Sequence, residues 1–154
     1  MVKVTSGLTS TGEPCTFYLD GKAKATFDEA IKRNKKDWDY VCGVTGYSGV
    51  GKSSWVRAPC KYLDPNFTEA NIALTAEEFI TKTNAAPEYS AIVLDESFEA
   101  MSSKVSQSKD FMRILNHLQL IRQKKLFIFL FLPNFFDLQK TVPIFRTDFP
   151  TPFF

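Results

Sequence analysis

The sequence has few of the residues from which disulfide frameworks, metal centres or membrane spans are built. Three cysteines and one histidine occur among 154 residues, and no two cysteines form a Cys-x-x-Cys pair. This small, irregular set supports neither a disulfide framework nor a zinc site. The longest apolar run, Leu126 to Pro133, is too short to cross a bilayer, and the N-terminus has no apolar signal-peptide stretch. We therefore expect a protein of the reducing cytoplasm with no membrane partner.

An excess of charge of one sign is also lacking. Nineteen basic and seventeen acidic side chains give a formal net charge of +2, so no overall field favours nucleic acid or a membrane surface. Two local basic clusters, residues 32–36 and Arg122 with Lys124 and Lys125, leave DNA as a candidate partner through its phosphates. A solvated surface is the simpler interpretation of both clusters.

What the sequence does contain is the composition of a folded domain. Hydrophobic residues make up 44% of the chain, and fifteen residues are Phe. A chain of this length and composition can form one compact core. We expect a single domain over residues 1–154, with an N-terminal prelude at 1–38 and the main core at 39–147.

Apolar runs and helical periodicity alternate along the chain. Short apolar runs predict strands at residues 15–19, 39–44, 91–94 and 126–132, and helices are expected at 27–36, 53–59, 75–86 and 110–124. Buried strands separated by helices indicate an α/β fold in three layers, α/β/α, with a mostly parallel central sheet.

Three sequence signals predict where helices begin or end. Thr26 with Glu29, and Thr75 with Glu78, match the capping-box pattern that begins a helix. Pro59 is expected to end the second helix, because proline lacks the amide hydrogen that the helix needs.

The most specific motif is a glycine-rich loop between a predicted strand and a predicted helix. Its residues match the full phosphate-binding loop pattern of P-loop NTPases, and the nucleotide-binding stretch is Gly46, Tyr47, Ser48, Gly49, Val50, Gly51, Lys52, Ser53 and Ser54. The glycines allow successive backbone amides to point at phosphate oxygens. Lys52 can reach the β- and γ-phosphates, and the Ser53 hydroxyl can bind Mg²⁺. ATP and Mg²⁺ are therefore the expected cofactors.

Polar side chains follow two later apolar strands. Asp95 ends the run at 91–94, where a carboxylate can support the Mg²⁺ ion, and the adjacent Glu96 can activate the attacking water. Asn134 follows the run at 126–132 and is a candidate sensor of the γ-phosphate, with a turn-forming role as the equal alternative.

These motifs together resemble the additional-strand, catalytic-glutamate branch of P-loop ATPases with a RecA-type core. The stretch from about residue 40 to 147 is similar to zonula occludens toxin-like ATPases of phages and mobile elements, and through them to DNA-translocating and packaging motors. The resemblance implies Lys52, Glu96 and Asn134 as catalytic residues and Ser53 with Asp95 as metal ligands. It also implies a homo-oligomer in the cytosol of a bacterial, archaeal or phage-infected cell.

The end of the chain departs from the motor pattern. Motor ATPases continue with more sheet and supply an arginine to a neighbouring subunit, whereas here Arg146 is followed by only eight residues. Arg146 is a candidate for this trans-acting finger, and a truncated C-terminus is one expectation.

Two other functions remain open from the sequence. A P-loop kinase would transfer the γ-phosphate to a small acceptor, but such enzymes need a basic lid that excludes water. A non-hydrolysing interaction module would use the nucleotide only as a structural ligand.

Overall fold

The N-terminal part of the protein is a β-hairpin followed by a helix. The computed structural model describes residues 1–45, 51–95, 109–132 and 151–152. Strands β1 (Val2–Leu8) and β2 (Pro14–Leu19) pair antiparallel, and α1 (Gly21–Asn34) follows. Along β2 the side chains alternate between exposed and more buried positions, which is typical of a sheet with one packed face.

The centre of the protein is a parallel sheet. Its strands are β3 (Tyr40–Thr45), β4 (Ile72–Ala73), β5 (Ala91–Leu94), β6 (Phe127–Leu132) and β7 (Thr151–Pro152). They lie in the order β4-β5-β6-β3-β7, and all of their pairings are parallel. The α/β class and the parallel sheet predicted from the sequence are thus confirmed. Because β6 lies between β3 and β5, the carboxyl ends of these three strands share one edge of the sheet.

Helices cover both faces of this sheet. Helices α3 (Ala76–Ala85) and α4 (Lys109–Leu120) pack on one face, and α1 and α2 (Lys52–Leu63) pack on the other. The side chains of β6 alternate between the two hydrophobic clusters, so Ile128 and Leu130 meet α3 and α4 while Phe129 and Phe131 meet α1 and α2. The arrangement has the three layers expected from the sequence.

The prelude shares a hydrophobic cluster with the main core. Leu19 from β2 and Phe27 from α1 are both 4% exposed and belong to the cluster that contains Val44 and Phe129. Val4 and Phe17 of the hairpin pack against the same cluster. The N-terminal segment therefore completes one layer of the fold.

The start predicted for the first helix is wrong. Helix α1 begins at Gly21, because the Asp20 carboxylate accepts hydrogen bonds from the backbone amides of Lys22 and Ala23 at 2.9 and 3.4 Å. Thr26 lies inside the helix, where its hydroxyl donates to the carbonyl of Lys22 at 3.1 Å. The Asp20 cap precedes the expected capping box by almost two turns.

The end predicted for the second helix is also wrong. Helix α2 continues through Pro59 to Leu63. Proline removes one helical hydrogen bond, but Val56, Cys60 and Leu63 are all buried on the inner side of this helix. Burial of these side chains outweighs the loss of one bond.

The other predicted elements are confirmed with small shifts in their bounds. Thr75 begins α3 as expected, since its hydroxyl accepts a hydrogen bond from the amide of Glu78 at 3.2 Å. Helix α4 ends at Leu120, and a separate 3-10 turn covers Arg122–Lys124. Within the described ranges, no helix is both long enough and apolar enough for a membrane crossing.

Candidate nucleotide site

The described part of the glycine-rich motif begins at Gly51, directly before α2. Gly51 has a φ of 87°, a left-handed conformation that glycine adopts without the steric cost of a side chain. Because Gly51 has no side chain, it provides no side-chain cap for the first turn of α2. That turn, Lys52 to Ser54, also contains no acidic residue. The positive end of the helix therefore favours an anion at this position.

Ser53 and Asp95 are in direct contact. The Ser53 hydroxyl donates a hydrogen bond of 2.7 Å to Oδ2 of Asp95. Ser53 lies on the first turn of α2, and Asp95 directly follows β5. The two side chains proposed from the sequence as metal ligands therefore meet at the carboxyl edge of the sheet. Open α/β sheets bind their ligands at this edge.

The backbone of Asp95 is fixed by the sheet. Its amide donates a hydrogen bond of 2.8 Å to the carbonyl of Ala73, which extends the pairing of β4 with β5 by one residue. The preceding residues of β5 are completely buried, while the Asp95 side chain is partly exposed. The carboxylate is thus held at the surface by a rigid strand.

The chemistry of this pair fits Mg²⁺. Hydroxyl and carboxylate oxygens are the hard ligands that Mg²⁺ takes from proteins, usually one or two at a time beside phosphate and water oxygens. Among residues 1–45, 51–95, 109–132 and 151–152, no three His, Cys, Asp or Glu side chains cluster as a metal group.

A charged residue, Arg57, approaches the pair from the next turn of α2. The Arg57 guanidinium donates to the backbone carbonyl of Ser53 at 3.0 Å and to both carboxylate oxygens of Glu69 at 2.6 and 3.1 Å. These bonds with Glu69 raise the pKa of Arg57, and the nearby negative charge of Asp95 adds a smaller effect in the same direction. Arg57 in turn lowers the pKa of Glu69.

Neither Arg57 nor Glu69 was predicted from the sequence as a site residue. Arg57 lies four residues after Ser53, so helical spacing alone could have placed it on the same side of α2. Glu69 could not have been found in this way, because it follows the loop after α2 and only the tertiary fold brings it to Arg57.

Several proposed site residues lie outside the described ranges. These are the first part of the phosphate-binding loop, the candidate base, the candidate sensor and the candidate finger: Gly46, Tyr47, Ser48, Gly49, Val50, Glu96, Asn134 and Arg146. Their roles stay predictions. Of the described residues, Lys52 and Ser53 are partly buried and Ser54 is exposed.

The two basic clusters lie near each other at the opposite edge of the sheet. Lys125 pairs with Asp37 at 3.0 Å, and Arg122 approaches Asp39 at 3.6 Å. The first cluster precedes β3 and the second precedes β6, which are neighbouring parallel strands. The amino ends of these strands thus carry a mixed surface in which acidic side chains offset part of the positive charge.

His117, the single histidine of the chain, is buried on α4. It is 8% exposed, and its Nε2 lies 2.7 Å from the hydroxyl of Thr83. This contact joins α4 to α3 and lies within the helical layer.

Comparisons of the chain with protein-family models, with curated proteins and with solved structures give no match in any of the three.

Proposed function

We propose that the chain binds ATP with Mg²⁺ and hydrolyses it. The observation that carries this proposal is the 2.7 Å hydrogen bond between Ser53 and Asp95, beside the amino end of α2. A phosphate-binding loop needs a helix start for the phosphates and a hydroxyl and a carboxylate for the metal. The three features occur together at one edge of the sheet.

Each residue has a defined task in this proposal. The first-turn amides of α2 and the ammonium group of Lys52 bind the phosphates, while Ser53 and Asp95 hold Mg²⁺ in place. The bound ion would neutralise charge that develops on the phosphate oxygens. Glu96 orients and deprotonates the attacking water, and Asn134 senses the γ-phosphate.

The order of the strands supports the proposed branch of P-loop ATPases. Strand β6 lies between β3, which precedes the loop, and β5, which precedes Asp95. An extra strand at this place is what the term additional-strand denotes. The sequence resemblance to zonula occludens toxin-like ATPases extends the proposal to the ATPase core of a phage or mobile-element DNA-handling protein.

Calorimetry with Mg-ATP tests the binding step. The wild-type protein is expected to bind, and Lys52→Ala is expected to lose about tenfold or more in affinity, since the ammonium group faces phosphate charge. Lys22→Ala removes an exposed lysine from α1 and is the matched control. A folded wild-type protein that gives no heat with Mg-ATP would contradict the proposal.

Phosphate release tests the hydrolysis step. Glu96→Gln is expected to keep binding and to lose turnover, because glutamine cannot accept the proton of the attacking water. The assay should include single- and double-stranded DNA, since stimulation by either would support the DNA-handling function. Transfer of phosphate to a small acceptor would favour a kinase, and binding without release would favour an interaction module.

A further inference from the structure

We infer that Arg57 is a positioning residue that sets the spacing between Ser53 and Asp95, an inference that rests on the proposed function. This role involves no contact of Arg57 with reacting atoms or phosphate. Arg57 acts through the backbone of Ser53 and through Glu69, and we expect its removal to change the Mg²⁺ concentration that the site requires.

The contacts of Arg57 define the orientation of its guanidinium group. Nε and Nη2 donate to the two carboxylate oxygens of Glu69, and Nη1 donates to the carbonyl of Ser53. A guanidinium that makes two parallel bonds to one carboxylate has its plane fixed. The third bond therefore holds the first turn of α2 at a defined distance from Glu69.

Glu69 is itself fixed to the sheet. It begins the 3-10 turn Glu69–Asn71, which is closed by the reciprocal capping box of Thr68 and Asn71. The side-chain amide of Asn71 donates a hydrogen bond of 3.1 Å from Nδ2 to the carbonyl of Ala91, the first residue of β5. The carboxylate that holds Arg57 is therefore anchored to the strand that precedes Asp95.

The same turn leads directly into β4. Strand β4 follows at Ile72, and the carbonyl of Ala73 accepts the amide hydrogen of Asp95. A continuous path of bonded groups thus runs from Arg57 through Glu69 and β4 to Asp95. The hydrogen bond from Ser53 to Asp95 closes this path into a ring.

The ion pair between Arg57 and Glu69 is exposed to solvent. The side chains of Arg57 and Glu69 are 44% and 68% exposed, and exposed ion pairs contribute little to overall stability. Their removal is therefore expected to alter the distance between the metal ligands while the protein stays folded.

The test compares Arg57→Ala with Arg113→Ala. Arg113 forms an ion pair with Asp110 on α4, and its side chain is also exposed, at 57%. The measurement is the Mg²⁺ concentration that gives half-maximal ATP hydrolysis, together with ATP binding in EDTA. Arg57→Ala is expected to need about tenfold more Mg²⁺, because residues that orient metal ligands have effects of this size. Arg113→Ala should match the wild type, and ATP binding in EDTA should change by less than about twofold in both variants.

Further variants distinguish the two-bond geometry of the Arg57 guanidinium from its positive charge. Arg57→Lys keeps the charge but cannot form two parallel bonds, so its Mg²⁺ requirement should stay raised. Glu69→Gln keeps the size of the side chain and should shift the requirement in the same direction. The double variant Arg57→Ala with Glu69→Gln should be no worse than Arg57→Ala alone, because both changes break one contact.

The outcomes separate this inference from the proposed function. An active wild-type protein with unchanged Mg²⁺ dependence in Arg57→Ala and Glu69→Gln would overturn the inference alone, as would full recovery in Arg57→Lys. A folded wild-type protein that does not bind Mg-ATP would overturn both. If Arg57→Ala fails to fold, the conservative Glu69→Gln variant decides the question.

Discussion

The hydroxyl of Ser53 and the carboxylate of Asp95 lie 2.7 Å apart although 42 positions separate them in the sequence. One residue opens a helix and the other ends a strand, and the sheet order keeps a further strand between β5 and β3. Their contact is therefore a product of the tertiary fold, and it gives the candidate site its first two oxygen ligands.

Replacement of Ser53 should weaken Mg²⁺-dependent binding of ATP. Ser53→Ala removes one of the two oxygens that would hold the ion, and we expect a loss of about tenfold or more in Mg-ATP affinity. Thr81→Ala is the matched control, because Thr81 carries an exposed hydroxyl on α3 and lies outside the proposed site. Calorimetry with and without Mg²⁺ measures the difference. Equal losses in the two variants would show that the Ser53 hydroxyl has no special role.

Replacement of Asp64 should reduce stability without touching the site. Asp64 is 7% exposed, and its carboxylate accepts hydrogen bonds from the amides of Ala91 and Asn66 at 3.0 and 2.9 Å. Asp64→Ala leaves the buried amide of Ala91 without its partner, which costs about 1–3 kcal/mol and should lower the melting temperature by about 5 °C. Asp64→Asn keeps one acceptor oxygen and should lose less. Identical melting temperatures for Asp64→Ala and the wild type would contradict this account.

The stability of the protein should fall in mild acid because of His117. Burial lowers the pKa of His117 below the ordinary value of 6.5, and the positive charge of Lys124 adds to this effect. The unfolded chain therefore binds a proton near pH 6.5 that the folded protein does not bind until lower pH. This contribution to stability is present above pH 6.5 and is lost as the pH falls through the folded pKa.

Urea unfolding between pH 7.5 and 5 measures this contribution, with about 1.4 kcal/mol expected for each unit by which the folded pKa is lowered. His117→Gln removes the titrating group and should show a flatter dependence over the same range. The chain has a single histidine, so one imidazole proton signal in an NMR titration reports the folded pKa directly. A midpoint at or above 6.5 would contradict the prediction.

Truncation of Phe129 should be among the most destabilising single changes. Phe129 is completely buried in the central strand β6, with its ring centroid 6.1 Å from that of Tyr40. Phe129→Ala should cost about 3–5 kcal/mol through lost burial and a cavity, a large part of the roughly 5–15 kcal/mol that stabilises a domain. Phe129→Leu should cost about 1 kcal/mol. Chemical denaturation of both variants compares these values.

The sequence was most informative where one structural signal dominated. The continuous apolar runs of β5 and β6 and the helical stripe of α4 were found because burial on both faces, or on one side of a helix, leaves a clear pattern. Strands β1, β4 and β7 were not predicted. Two of these, β4 and β7, are two residues long, which is too short for any periodicity.

Errors at helix ends had a different cause. Thr26 was interpreted as the start of the first helix, yet the side chain of Asp20 caps α1. Pro59 was interpreted as a helix end, yet the buried side chains around it hold the helix together. Both errors arose because local signals were judged without the packing that decides between them. The pairing order of the strands was likewise beyond the sequence, because it depends on contacts between distant segments.

The basic clusters and the candidate nucleotide site lie at opposite ends of the strands of the parallel sheet. Strand β3 has six residues, and at about 3.3 Å per residue it spans roughly 20 Å. A phosphate chain seated on Arg122 and its basic neighbours would lie one strand length from a bound triphosphate. The two ligands would not share a pocket. Any effect of one on the other would have to pass along β3 and β6, as a rigid-body movement of these strands.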